Sequence, residues 1–273
     1  AIHPVFEEFS NTATCHSIAE PGYTDALEFE DGKLMLGKIE GMNDVNWPRL
    51  EREVGAEKFT EIISRSRLIG MVNWTMLPYL HGIWRKMIDD LLPQVDPHEL
   101  GRRILFVDLA DPEKRTSEDL KAGLELVSEF SPHVDTTLGV NLKEAVRVAE
   151  VLGVSVGADP EAEIESMAVS IREKLDIQAV VVHPRSCAAA AIKTGDEAVE
   201  SARFAGPFVR QPKLSTGAGD NFNAGFCIGR LAGLDPAGAL CVGTATSGYY
   251  VRNAGSPSIF QLADFCENLP ESE

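Results

Sequence analysis

The chain has 273 residues, 44% hydrophobic and 25% charged, with a formal charge of −17. That length can bury a sizeable core, and no run of about eighteen apolar residues offers a membrane-spanning helix. So acidic a chain lacks the basic patches of a sequence-independent nucleic-acid binder; an anionic ligand would need a local positive site made of backbone N–H groups, a metal ion or a few cations.

The first clear element is YTDALEFEDGKLMLGKI, Tyr23 to Ile39. Asp31-Gly32 between two extended runs predicts a β-hairpin with arms Ala26–Glu30 and Lys33–Gly37. WPRLEREV and EKFTEIISRSR read as helices, the first with Pro48 in its first turn. A strand–helix rhythm follows: Leu68–Trp74, then a long helix Leu77–Leu92; Arg103–Ala110, then SEDLKAGLELVSEF; VDTTLGV, then NLKEAVRVAEVLG ending at Gly153. A helical EAEIESMAVSIREKL precedes QAVVVH, and AAAAIKT and EAVESA read as strands with Gly195-Asp196 as the turn. One helix to about Leu231 and another from Pro236 towards Tyr250 close the chain. Such alternation predicts an α/β fold, a mainly parallel sheet with helices on both faces, plus a small β lid outside the rhythm. Residues 1–22 are expected to be a remnant of the N-terminal part of the core, 23–40 the lid and 41–273 the nucleotide-binding core.

The five cysteines are odd in number and form no CxxC pair, and the six histidines show no HxxxH spacing. That pattern suits free thiols in a reducing cytoplasm better than a disulfide framework or a zinc site.

The chemistry concentrates in LSTGAGDNFNAGF, Leu214 to Phe226. Glycines at a helix start let main-chain N–H groups approach an anion, and the helix end adds roughly half a positive charge. Gly217, Ala218 and Gly219 therefore suit an anion cradle, and Asp220 beside them suits a base that takes a proton from a hydroxyl attacking a phosphoryl group. An ordinary helix start, with Asp220 near the dipole, accounts for the same residues. A dinucleotide GxGxxG is excluded because its sixth position is Phe222, and no GxxxxGK[ST] occurs. Asn141 and Glu144 in NLKEA have the spacing of a capping box. Asn73 and Asp108 end strands, where polar groups meet substrates or cap the next segment.

STGAGDNFNAGF closely resembles the C-terminal signature of the ribokinase-like, or PfkB, family of carbohydrate and nucleoside kinases. The likeness runs in order through most of the chain: lid hairpin, alternating strands, an NxxE motif, GAGD and two closing helices. It implies ATP and Mg²⁺, with Asp220 as catalytic base, Gly217, Ala218 and Gly219 receiving the transferring phosphoryl group, and Asn141 and Glu144 ordering the water shell of Mg²⁺. Thr216, His183, Arg185, Asn253, Ala254 and Gly255 become nucleotide-side candidates, and Asn73 and Asp108 acceptor-side ones. For His183 and Arg185 a solvated turn is the alternative.

Three departures qualify the likeness. The early Asp and Gly-Gly pair that hold sugar hydroxyls in the family have no counterpart before Tyr23, so a missing upstream piece is expected. Leu214 stands where relatives carry a monovalent-cation Asp, so potassium activation through that ligand is not expected. The nucleotide-side Thr-x-Gly turn is replaced by His183-Pro184-Arg185. The expected activity is transfer of the γ-phosphoryl group of ATP to a hydroxyl of a sugar or sugar-like molecule. A nucleoside kinase, with Trp74 as the base-stacking candidate, and a catalytically silent binding relative are the alternatives. Thr24 and Glu28 of the lid are expected to close over the acceptor; Phe29, Leu34 and Leu36 are expected to pack, with a homodimer through the lid as one outcome.

Overall fold

A computed structural model describes residues 6–29, 32–195 and 198–273. Two compact units divide the chain, Ala1–Ser66 with Asn73–His98, and Arg67–Val72 with Glu99–Glu273.

The first unit opens with a short helix α1 (Glu7–Thr12), followed by an antiparallel hairpin of β1 (Tyr23–Phe29) and β2 (Gly32–Lys38). Its register pairs Leu27 with Leu34 and Phe29 with Gly32, so Gly32 belongs to a strand and not to the turn. The expected register differs by two residues in the partner, which leaves every side chain on the same face; alternation therefore cannot distinguish the two. Glu30, the end of the expected first arm, and Asp31 of the expected turn lie outside the described residues. Helices α2 (Trp47–Glu53) and α3 (Ala56–Arg65) follow, α2 capped by the Asn46 side chain, which accepts from the Arg49 N–H at 3.0 Å.

The single helix expected over 77–92 is broken. A 3-10 turn at Trp74–Met76 precedes α4 (Leu80–Lys86), a π turn at Met87–Leu91 and a 3-10 turn at Leu92–Gln94. Pro93 ends regular pairing, and the wider π turn keeps Met87, Ile88, Leu91 and Leu92 buried together.

In the second unit, six strands lie side by side in chain order: β3 (Leu68–Met71), β4 (Ile104–Asp108), β5 (Asp135–Val140), β6 (Ala179–Val182), β7 (Cys187–Thr194) and β8 (Ala198–Ala205). The first four are mutually parallel, β7 runs antiparallel to β6, and β8 antiparallel to β7. Of the parallel strands, β4, β5 and β6 are buried almost throughout, as crossover helices on the sheet require, whereas the edge strand β3 is only partly covered. Their helices are α5 (Ser117–Glu129), α6 (Leu142–Leu152) and α7 (Ile164–Leu175); α8 (Ala218–Leu231), α9 (Pro236–Asn253) and α10 (Ile259–Glu267) complete the unit. Ala179, Val181, Ala188, Ala190 and Ile192 pack with Phe222, Phe226, Ala239 and Leu240 of α8 and α9. The intervening Val180, Val182, Ala189 and Ala191, equally buried, point to the other face, where α7 crosses β6 and β7. The expected α/β architecture with a mostly parallel sheet is present, and Asp196 of the β7–β8 turn lies outside the described residues.

Candidate active site

The residue that starts α8 is Gly217, in the left-handed region at φ +90° with no side chain to cap the helix. The helix therefore begins with its N–H groups uncovered. Asn221 N–H returns to the Gly217 carbonyl at 3.0 Å, and Ala218 N–H is turned to the Ser215 carbonyl at 3.2 Å. The amides of Gly217, Gly219 and Asp220 find no acceptor among the described residues. Of the three amides expected to form an anion cradle, those of Gly217 and Gly219 are left without an acceptor among the described residues, whereas that of Ala218 closes the turn that precedes the helix. Asp220 follows on the first turn, exposed, and its carboxylate accepts no hydrogen bond from the described residues.

Beside this helix start lies a cavity of about 500 Å³. Ala218, Gly219 and Phe222 of α8 form one wall, His183 to Arg185 and Asn141 contribute from the strand ends, and Thr244, Ser247, Gly248 and Val251 of α9 face them. The His183 ring stacks on Phe222, with centroids 4.7 Å apart, and its Nε2 is buried without a partner. Burial holds its pKa down to about 4, so the imidazole is neutral near pH 7. Arg185 is exposed at the rim and supplies a positive charge to a cavity otherwise short of it.

A second group of side chains gathers where β4 and β5 end. Asp108 accepts from Ala110 N–H at 2.9 Å and from Asn223 Nδ2 at 2.6 Å. Burial raises its pKa, and the negative charges of Asp220 and Asp111 push it the same way. Glu144 is 5% exposed; Oε1 accepts from Asp111 N–H at 2.8 Å and Oε2 from Asn141 N–H at 2.9 Å. Asn141 Oδ1 accepts from Glu144 N–H in return at 3.0 Å, which completes a capping box at the start of α6. Burial raises the Glu144 pKa as well, and Asp108 and Asp111 add to the rise. Four carboxylates are thus linked in series, Asp108 feeling Asp220 and Asp111 and Glu144 feeling Asp108 and Asp111, and Asn141, which caps Glu144, also lines the cavity.

Other expected residues fall elsewhere. Thr216 lies just before the helix and offers its carbonyl to Tyr250. Asn253, Ala254 and Gly255 do not line the cavity; Asn253 Nδ2 donates to the Tyr249 carbonyl and Ala254 takes a left-handed conformation that ends α9. Asn73 sits in the first unit, left-handed at φ 65° at the start of a 3-10 turn. Trp74 is fully buried there, its indole N–H donating to His81 Nε2 at 2.8 Å, which makes it core and not a base-stacking surface. The side chains of Glu28 and Phe29 lie outside the described set. The cavity also uses Gly206 to Val209 and Pro212, from the loop between β8 and α8, which belong to none of the motifs. Their signal is the spacing of Gly206-Pro207 and Pro212 directly before GAGD, a loop too rich in turn residues to be only a linker.

A profile of the prokaryotic ketohexokinase family matches residues 1–269. A ketohexokinase of Haloferax volcanii is 31% identical over 267 residues, 96% of this chain and 66% of that protein, so the chain spans just under two thirds of that relative's length. Among solved structures, the ribokinase of Thermotoga maritima superimposes with TM-score 0.61 at 17% identity, over 92% of this chain and 71% of that one. A carbohydrate kinase from Agrobacterium tumefaciens gives TM-score 0.60 at 19% identity (92% and 69% covered), and the adenosine kinase of Schistosoma mansoni in complex with 2-fluoroadenosine gives 0.60 at 16% (86% and 63% covered). At such identities the structural likeness speaks for the fold. By the match over residues 1–269, the chain belongs to the prokaryotic ketohexokinase family, with a ribokinase-like fold.

Proposed function

We propose that the protein is a sugar kinase that moves the γ-phosphoryl group of ATP to a hydroxyl of a small sugar, with a ketohexose as the first acceptor to try. The observation that carries this reading is the conjunction at Gly217–Asp220: three main-chain N–H groups without acceptors and one unbonded carboxylate, beside a cavity of about 500 Å³. The cavity would take the nucleotide, with Arg185 at its rim and neutral His183 in its wall. The amides of Gly217, Gly219 and Asp220 would hold the equatorial oxygens of the group in flight, as donors aimed at developing charge do. Asp220 takes the proton of the acceptor hydroxyl while its oxygen bonds to phosphorus and the bond to the leaving ADP oxygen breaks. Asp108, anchored by Asn223, is the acceptor-side partner.

Divalent-metal chemistry suits the donor set in one way only. No group of three or more His, Cys, Asp or Glu among the described residues could cage a metal, and both Glu144 oxygens already serve main-chain N–H groups. Asn141 and Glu144 fit an ion held chiefly by phosphates and water, whose outer waters they orient. When bound, Mg²⁺ neutralises charge on the phosphates.

On the hairpin, Leu27, Leu34 and Leu36 share one face and are 48%, 53% and 46% exposed, which supports a contact with a second copy through the lid. The free state of all five cysteines supports a cytoplasmic location, and no helix of the described residues is long and apolar enough to cross a membrane.

The test is coupled ADP release on the full chain over a panel of ketohexoses, other sugars and nucleosides, with and without Mg²⁺. Turnover with a sugar, lost on chelation, is expected. Turnover with nucleosides alone replaces the acceptor; bound ATP with no turnover on any acceptor makes the protein a silent binder and overturns the reading.

A further inference from the structure

The cradle at the start of α8 works only if its N–H groups point outward, and nothing in a glycine-rich turn enforces that. Gly217 in particular is free to rotate either adjoining peptide. Two side chains restrain it. The Tyr250 hydroxyl donates to the Thr216 carbonyl at 2.8 Å. On the other side of Gly217, its own carbonyl accepts from Asn221 Nδ2 at 2.9 Å as well as from the helix, and Asn221 Oδ1 accepts from Ser256 Oγ at 2.9 Å. Both peptides flanking Gly217 are thus tied through their carbonyls, one to Tyr250 of α9 and one to Asn221 of α8, which Ser256 holds in turn.

We infer that Tyr250 is a positioning residue for phosphoryl transfer: by holding the Thr216 carbonyl it sets the direction of the Gly217 N–H. The inference rests on the kinase reading above. In a planar trans peptide the C=O and the following N–H point in opposite directions, so a carbonyl drawn to Tyr250 turns the Gly217 amide away from it, where it has no acceptor among the described residues. A rotated peptide would withdraw that N–H and present a carbonyl oxygen, replacing attraction to an anion with repulsion. The approach is close. A Cβ on residue 217 would meet the Tyr250 hydroxyl at 2.9 Å, so glycine here serves the tyrosine contact as well as the left-handed backbone. Tyr250 sits on the helix that also supplies Ser247, Gly248 and Val251 to the cavity, so the same element that borders the ligand orients the amide.

Tyr250→Phe removes the hydroxyl and keeps the ring. Loss of a whole donor at such a site lowers kcat about 10²–10³-fold, and loss of its orientation alone is expected to lower it about tenfold. The KM for the acceptor, the affinity for ADP and the Tm are expected to stay close to those of the parent, whereas a merely structural role would lower Tm and leave kcat per folded molecule unchanged. A kcat within twofold of the parent overturns the inference. ADP with tetrafluoroaluminate, a mimic of the group in flight, supplies a reading that does not need turnover. Tyr250→Phe is expected to lose about tenfold in affinity for the mimic and none for ADP alone; equal loss for both, or for neither, overturns the inference. If the parent transfers phosphate to no acceptor, the kinase reading fails by itself, and the mimic still decides the role of Tyr250.

Discussion

Asp220 is exposed, unbonded and next to the uncovered amides of α8, the position a general base needs. Asp220→Asn is expected to lower turnover at least 10²-fold while nucleotide affinity, measured by calorimetry, changes little. Asp108 behaves in the opposite sense. Its folded pKa is raised, so the folded chain holds a proton there more tightly than the unfolded chain, and the ionised form costs stability above that range. Asp108→Asn should remove this cost, and Asn223 can turn its unpartnered Oδ1 to the new amide. The expected result is a higher Tm at pH 7.5 together with lost turnover; an unchanged or lower Tm refutes it. His183 gives the third test. With its pKa held to about 4 against an ordinary 6.5, the unfolded chain binds the extra proton across that window, so stability is lost as pH falls from 6.5 towards 4. The loss from this group reaches about 3 kcal/mol. His183→Phe keeps the stack on Phe222 and should flatten that part of the urea-midpoint profile relative to the parent.

At the level of elements, α8 and α9 approach through small residues. A Cβ at Gly225 would lie 2.2 Å from Thr246 Oγ1 and 2.7 Å from the Val242 carbonyl, and one at Gly229 would lie 2.7 Å from the Cα of Ala239. Backbone cannot yield as a side-chain tip can, so Gly225→Ala is expected to cost about 1–3 kcal/mol in urea unfolding, and more if α9 must shift; a neutral effect would show the helices slide freely. These two helices carry the amides and the facing cavity wall, so their spacing sets the site. The helices and most strands were legible because their apolar spacing is regular, as at Val148 and Ala149 of α6 or Ala179–Val182 of β6. Elements whose pattern fits two geometries were not. The apolar run from Leu80 to Leu92 satisfies a plain helix as well as the α–π–3-10 series that Pro93 and the packing of Met87 and Leu91 select. The hairpin register likewise admits two solutions with the same faces.

For the whole molecule, the hairpin face of Leu27, Leu34 and Leu36 motivates a last prediction. The full chain should sediment as a dimer, and Leu27→Asp with Leu34→Asp should give a folded monomer; a parent that is monomeric at micromolar concentration removes the proposed contact. Chain order alone was enough to place GAGD at the start of a late helix and to identify the family resemblance, because a glycine-rich helix entry with an acid, and alternating strands and helices, are local patterns that one stretch of chain can carry. Long-range packing had to choose the rest. It brought Asn223 to Asp108 across 115 residues of chain and drew Tyr250 to Thr216 across 34. Each of those is a contact between segments whose sequences hold no trace of one another, so the free energy that selects it exists only once the chain is folded.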